Sequence, residues 1–364
     1  MQSLEKSELP VTKIPIVIIG AGGIIRDAHL PAYKKAGFQV IGIFDLYYDG
    51  ALELGRKFKI PNICKTLTDL VALGLKHQAV FDLAVPASEI LNILSKLPEK
   101  TAILIQKPMG NDLEQANQIL TICRSKKIIA AVNFQLRFAP FVNMARQLIQ
   151  KGIIGEVYDM EVKICTYTPW HLWDFLATLP RVEILYHSIH YIDLLRSFLG
   201  DPNRIMAKTV KRTKATMSST RTTMLLDYGS EISASISTNH DHRFGLTHQQ
   251  SYIKWEGNKG AIYVKIGLLL DYPNGIPDKF EYCILNENMP PKWETVNLDG
   301  TWFPDAFIGS MSSLMRFVEG SDTCLPTSVE DAIKTMALVE AGCRPCRSMT
   351  PPRTCIEVSA YPSD

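Results

Sequence analysis

The 364-residue sequence predicts an α/β chain in two parts: a doubly wound parallel sheet over residues 1–136, then an α+β part over 137–364 whose open sheet is mostly antiparallel. Three observations predict this. Through about residue 135, short apolar β-branched runs alternate with amphipathic stretches, the pattern of strands covered on both faces by crossover helices. The first run closes in a glycine turn, Gly20-Ala21-Gly22-Gly23, ahead of a helical stretch. Beyond Arg137 the strands lengthen, and turn residues such as Asp227-Tyr228-Gly229 and Glu256-Gly257-Asn258 stand between them.

In chain order, residues 14–19 form the first strand and 28–35 a helix. A second strand, 40–44, ends at Asp45, and a helix follows over 51–58. The third strand, 79–85, is closed by Pro86 and leads to a helix over 89–97. The fourth, 103–105, is closed by Gln106, Lys107 and Pro108. Residues 113–126 carry apolar side chains at three-and-four spacing, hence a helix, before a fifth strand over 128–134. In the second part, helices are expected at 141–150, 183–198, 310–318 and 329–340, and strands at 157–168, 205–212, 220–228, 231–239, 250–256 and 261–266.

Composition narrows the function classes. Lys plus Arg number 39 against 37 Asp plus Glu, a formal charge of +2, so the chain offers neither a basic field for nucleic acid nor a polybasic membrane patch. No apolar run is long enough to span a bilayer, and residues 1–13 lack the apolar core of a secretory signal, so a cytoplasmic protein is expected. The eight cysteines are then expected as reduced thiols. Cys343-x-x-Cys346 has no second pair to complete four ligands, and no metal is expected.

The glycine turn is a candidate phosphate site. Gly20 permits a tight turn and Gly22 a close backbone approach to a pyrophosphate, while Gly23, Ile24 and Ile25 begin the helix whose free N–H groups face an anion. Ile25 stands where a third glycine is usual. Asp45 ends the second strand, 23 residues after Gly22. A carboxylate there accepts from ribose hydroxyls and repels a 2′-phosphate, and the following Leu46, Tyr47 and Tyr48 bring no arginine, so NAD(H) is expected over NADP(H).

Lys107 lies at the C-terminal end of a buried parallel strand, where such sheets bind ligands; it is either a working ammonium or a rim lysine paired with an acid. His187, His190 and Asp193 recur every three residues along one predicted helix and share a face, with Tyr186 four before His190. His190 is a candidate acid/base, or else a core histidine held by Asp193. Trp170, His171, Trp173 and Asp174 precede that helix; they suit a polyhydroxylated ligand or form a hydrophobic cover. The His240, His242, Arg243 cluster is not assigned to the site.

These motifs, in this order, resemble the Gfo/Idh/MocA oxidoreductase family, the glucose–fructose oxidoreductase and inositol dehydrogenase group, from about Val11 to about Cys355. The segment IIGAGGIIRDAHLPAY is similar to the family's nucleotide turn, AVPASEI to its T-P turn, ILIQKPMG to its E-K-P signature, NFQLRFAP to its R-F-x-P junction, and HSIHYIDLLRSFLG to its helix carrying H-x-x-D-L. The resemblance implies an NAD-binding Rossmann domain and NAD(P)-dependent redox of a sugar, inositol or other polyol. It places Lys107 and His190 as the reacting pair, with Val85, Pro86, Gln106 and Gln135 at the cofactor. Three departures stand out. Gln106 replaces the glutamate of E-K-P, Ile90 a histidine after the T-P turn, and Tyr186 the aspartate four before the histidine, whose role falls to Tyr186 or His187. The expected reaction has Lys107 polarising the reacting oxygen and His190 exchanging its proton. Two alternatives are an aldose–aldose oxidoreductase that retains its cofactor and a non-catalytic NAD- and sugar-sensing regulator. A homodimer or homotetramer is expected to cover the open sheet.

Overall fold

The computed structural model describes residues 6–170, 176, 179–211, 217–272 and 274–343. The first sheet holds β1 (Ile16–Ile19), β2 (Val40–Phe44), β3 (Asn62–Ile63), β4 (Val80–Leu83), β5 (Ala102–Ile105) and β6 (Ile129–Val132), all parallel, in the order β3-β2-β1-β4-β5-β6. Its apolar residues split by pleat. Val17, Ile19, Phe81 and Ile105 join one core and Ile16, Ile18, Val80 and Leu104 the other. Successive strand residues point to opposite faces, so a continuous apolar run is what two helical layers require. The helices are α1 (Leu30–Ala36), α2 (Tyr48–Phe58), α3 (Leu67–Lys76), α4 (Ile90–Lys96) and α5 (Leu113–Ser125). The sequence reading left β3 and α3 unassigned, although Thr66 caps α3 by accepting from the Asp69 N–H at 3.1 Å.

Four polar side chains inside this layer are linked to one another. His29, which opens α1, sits 2.7 Å from Asp82 on β4; Tyr33 donates to the same carboxylate at 2.7 Å, and Asn133 lies 3.3 Å from the other His29 nitrogen. This pins α1 across two strands.

The second sheet holds β7 (Val157–Cys165), β8 (Arg204–Val210), β9 (Arg221–Asp227), β10 (Ser233–Asn239), β11 (Gln250–Gly257), β12 (Gly260–Lys265), β13 (Lys279–Ile284) and β14 (Trp293–Val296), in the order β14-β13-β12-β11-β7-β10-β9-β8. Every neighbouring pair is antiparallel except β7 with β10. The sequence reading stopped at β12. Along β7, Met160, Val162 and Ile164 turn inward, while Glu161 and Lys163 stay on the open face.

Among the described residues four more α-helices follow: α6 (Pro140–Gln150), α7 (Ile189–Leu199), α8 (Asp305–Val318) and α9 (Val329–Cys343). Helix α8 returns to the first half, where Phe307, Met311, Leu314 and Met315 join the core of Ile16 and Ile18. Helix α9 lies against α5, α7 and β8. The halves are also tied by charge. Arg137 makes a two-pronged bond to Asp193 on α7, both contacts at 2.6 Å, and reaches Asp331 on α9 at 2.6 Å and the Pro326 carbonyl at 2.7 Å. Asp193 therefore serves Arg137 rather than a histidine, because a planar guanidinium satisfies both carboxylate oxygens at once. Asp193→Ala leaves that guanidinium buried without its main partner. Loss of about 3–5 kcal/mol is expected in a urea unfolding midpoint analysis. A loss below about 1 kcal/mol would reduce the network to the weight of a surface pair.

Candidate active site

The glycine turn follows β1 directly. Gly20 has φ +110, and a Cβ there would lie 2.3 Å from the Ala84 carbonyl oxygen, so both conformation and space demand glycine. A Cβ on Gly22 would meet nothing within 4 Å, so the backbone is open to an approaching ligand. Ile25 replaces the third glycine as a fully buried core residue that begins a π-helical turn, Ile25–His29, leading into α1. The Asp45 carboxylate is held beside the turn, accepting from the Ala21 N–H at 2.6 Å and the Tyr47 N–H at 2.7 Å. Those bonds leave acceptor capacity for ribose hydroxyls. Val85 reaches to 3.6 Å of where the Gly20 Cβ would stand, and Pro86 precedes the short helical turn that starts α4. Gln135, 1% exposed, has a side-chain oxygen with no partner in the chain. The open turn, the oriented acid and this unpaired amide oxygen fit a nicotinamide dinucleotide laid across the strand ends.

Lys107 follows β5, and Gln106 turns its amide oxygen back to the Lys107 N–H at 3.0 Å. The Lys107 ammonium crosses to the second half and donates to the Tyr186 carbonyl at 2.8 Å. That carbonyl lies in a π-helical turn, Ile184–Ser188, immediately before α7. Burial pulls the Lys107 pKa down to about 8. His190, one turn further on, is held well below the usual imidazole range by burial and then by the Lys107 charge. Trp302 stands perpendicular to it, with ring centres 5.8 Å apart. The ammonium from one half thus lies close enough to the imidazole of the other for its charge to act on it.

His187 faces a different wall. Its ring lies 4.6 Å from His240 and 5.1 Å from Trp170. Burial, followed by His240, Lys107 and His190, holds His187 well below its ordinary range, and burial alone lowers His240 to about 4. Behind them, Glu183 is fully buried and accepts from Ser188 at 2.7 Å, Thr238 at 2.7 Å, and Thr222. Burial raises its pKa against the pull of those hydroxyls.

Most of the sequence-selected residues converge. Lys107, His187 and His190 lie within electrostatic reach of one another and Trp170 packs edge-on to His187, while Tyr186 contributes its carbonyl; the rings of Trp170 and Tyr186 both pack with Leu176, Val182 and Met217. His171, Trp173 and Asp174 lie outside the described residues. Of the unassigned cluster, His240 belongs to the site, whereas His242 meets Cys165 at 3.5 Å and Arg243 meets Asp241. Glu183 and Trp302 were also missed. His240 arrives because β7 and β10 run parallel, which sets Thr166 and Thr168 against Asn239 and His240. Trp302 arrives with the return of the chain into α8.

Comparison with known proteins agrees with this fold. A family model described as an oxidoreductase family with an NAD-binding Rossmann fold matches residues 14–134, and one described as a GFO/IDH/MocA C-terminal domain matches 142–263. D-apiose dehydrogenase from Paraburkholderia graminis is 22% identical over 351 residues, covering 93% of this chain and 89% of its own. An oxidoreductase from Agrobacterium radiobacter, solved with NAD+, L-tartaric acid and magnesium, shares the fold at a TM-score of 0.73 and 21% identity, covering 91% of this chain and 95% of that one. A 3-ketoreductase, KijD10 from Actinomadura kijaniata, solved with TDP-benzene and NADP, shares it at a TM-score of 0.65 and 16% identity, over 90% and 96% of the two chains. With both halves matched in order, the chain is an NAD(P)-binding oxidoreductase and belongs to the Gfo/Idh/MocA family.

Proposed function

We propose that the protein is a cytoplasmic, NAD-dependent dehydrogenase acting on a ring hydroxyl or carbonyl of a sugar, inositol or related polyol. The observation that carries this reading is the 2.8 Å bond from Lys107 to the Tyr186 carbonyl, which holds an ammonium one helical turn from His190. Bound NAD would supply the acceptor for the carbinol hydrogen. The chain supplies the remainder. Lys107 donates to the substrate oxygen and stabilises negative charge as it develops there. His190, neutral at pH 7 through burial, accepts the hydroxyl proton. His187 stands close enough to Lys107 to feel its charge and serves as the second acceptor, in the role that the aspartate four before the histidine would otherwise take. Trp170 offers an aromatic wall to the C–H face of the substrate. The described cysteines are all free thiols, which suits a reducing compartment.

The two pKa directions set the pH profile. Oxidation needs His190 unprotonated, and its pKa is depressed, so the acid limb is expected well below pH 6.5. It also needs Lys107 protonated, so the alkaline limb is expected near pH 8. Following NADH absorbance against pH reads both limbs. Lys107→Met should lower kcat about 100-fold or more and abolish the alkaline limb. A limb near pH 8 that survives in the variant would belong to another group. Turnover that continues without added NAD would mark the cofactor-retaining oxidoreductase, and firm NAD binding with no turnover on any polyol would mark the regulator.

Asp45 supports NAD over NADP, since its fixed carboxylate would lie beside a 2′-phosphate. NADH should bind at least about tenfold tighter than NADPH by nicotinamide fluorescence, and Asp45→Ser should narrow that gap. Equal affinities in the parent protein would remove Asp45 from cofactor choice.

The open sheet face supports self-association. Met206 and Leu225 are direct cross-strand neighbours and are 56% and 51% exposed. Apolar pairs on an open sheet are stabilised by a second copy. Light scattering should give a dimer or tetramer, and Met206→Lys with Leu225→Lys should shift it to monomer. A parent monomer at micromolar concentration would rule out this association.

A further inference from the structure

The unpaired polar atoms around Lys107 include buried donors that no carboxylate of the described chain meets. Lys107 carries three N–H groups, one of which goes to the Tyr186 carbonyl. Among the described residues no carboxylate lies within ion-pair distance of that ammonium. The indole nitrogens of Trp170 and Trp302, which can only donate, make no hydrogen bond within the chain, as is also true of Trp255 in the core; His187 Nε2 and His190 Nδ1 are unpaired too and donate or accept by tautomer. The buried Glu183 accepts from three hydroxyl donors and stands 3.6 Å from His240 Nε2. A buried donor without an acceptor costs about 1–3 kcal/mol, and an uncompensated ammonium more, so the cleft is complementary to a ligand dense in lone pairs. Oxidised nicotinamide would add a further positive charge to the same space.

We infer that the substrate carries a carboxylate: the protein acts on a polyhydroxy acid, an aldonate- or uronate-type sugar acid, rather than on a neutral polyol. The two free N–H groups of Lys107 allow it to hold the reacting hydroxyl and a carboxylate oxygen on the neighbouring carbon together. The indole N–H groups of Trp170 and Trp302 would take further oxygens on either side. The charge of the acid compensates the ammonium, while the neutral imidazoles remain free to accept the hydroxyl proton. This rests on the proposed reading of the same cleft as a dehydrogenase site.

The test measures binding separately from turnover. Calorimetry on the NAD-loaded protein would compare D-galacturonate and D-gluconate with D-galactose, D-glucose and myo-inositol, and with the methyl ester of D-galacturonate as a neutral isostere. At least one acid should bind about tenfold or more tightly than its neutral counterpart. Esterification should erase that advantage, and Lys107→Met should erase it too. Neutral sugars that bind as tightly as the acids, an ester as good as the free acid, or no binding by any acid overturns the inference. Acids that bind tightly without forming NADH would uphold the carboxylate site and overturn the dehydrogenase reading. Neutral sugars oxidised while acids stay inert would do the reverse.

Discussion

The ammonium of Lys107 leaves the end of a parallel strand and finds its hydrogen-bond acceptor on the other half of the molecule, at the Tyr186 carbonyl. A charged donor drawn out of water must be met by an acceptor, and here the acceptor is backbone at the head of the helix that carries His190. That single contact ties the end of β5 to the head of α7. It also sets their protonation. The same removal from water that lowers the lysine lowers the imidazoles around it, and the lysine charge pushes His187 and His190 further in that direction. A cationic donor and a neutral acceptor can then coexist near pH 7.

The contact persists because stronger forces hold the frame around it. Arg137 joins the exit of the first sheet to α7 and α9 through Asp193 and Asp331, and α8 folds back to seal one face of that sheet. Neither half can turn without breaking buried charge pairing or uncovering apolar surface. The cleft is therefore a rigid seam, which is what proton and hydride transfers need when a small misplacement lowers the rate steeply.

What was legible in the sequence was local. The strands of the first sheet announce themselves as apolar runs, and Gly20, Asp45, Lys107 and His190 are marked by their positions at strand ends or on one helix face. The glycine turn tolerates Ile25 because the helix opens in a wider turn and the side chain enters the core. Short or polar elements were less legible. β3 has two residues, and β14 exposes most of its length, so neither carries a burial pattern. Helical spacing brought Asp193 onto the face of the histidines but could not show that Arg137, 56 residues earlier, would take both of its oxygens. His240 and Trp302 needed topology: the first depends on a parallel pair inside an otherwise antiparallel sheet, the second on a returning helix. No periodicity encodes either.

The unpaired polar atoms near Lys107 bear on how stability and function divide the molecule. Several buried polar groups are matched within the chain: His29 with Asp82 and Tyr33, Glu183 with its hydroxyls, and Arg196 with Asp201, Asp331 and Thr335. At the cleft, Trp170, Trp302, His187, His190 and Gln135 each keep a buried nitrogen or oxygen without a partner in the chain. A fold shaped by stability alone would replace such groups with apolar ones or supply acceptors from nearby loops. Beside the glycine turn and α7, where such groups gather around Lys107, a bound molecule would supply partners that the chain does not.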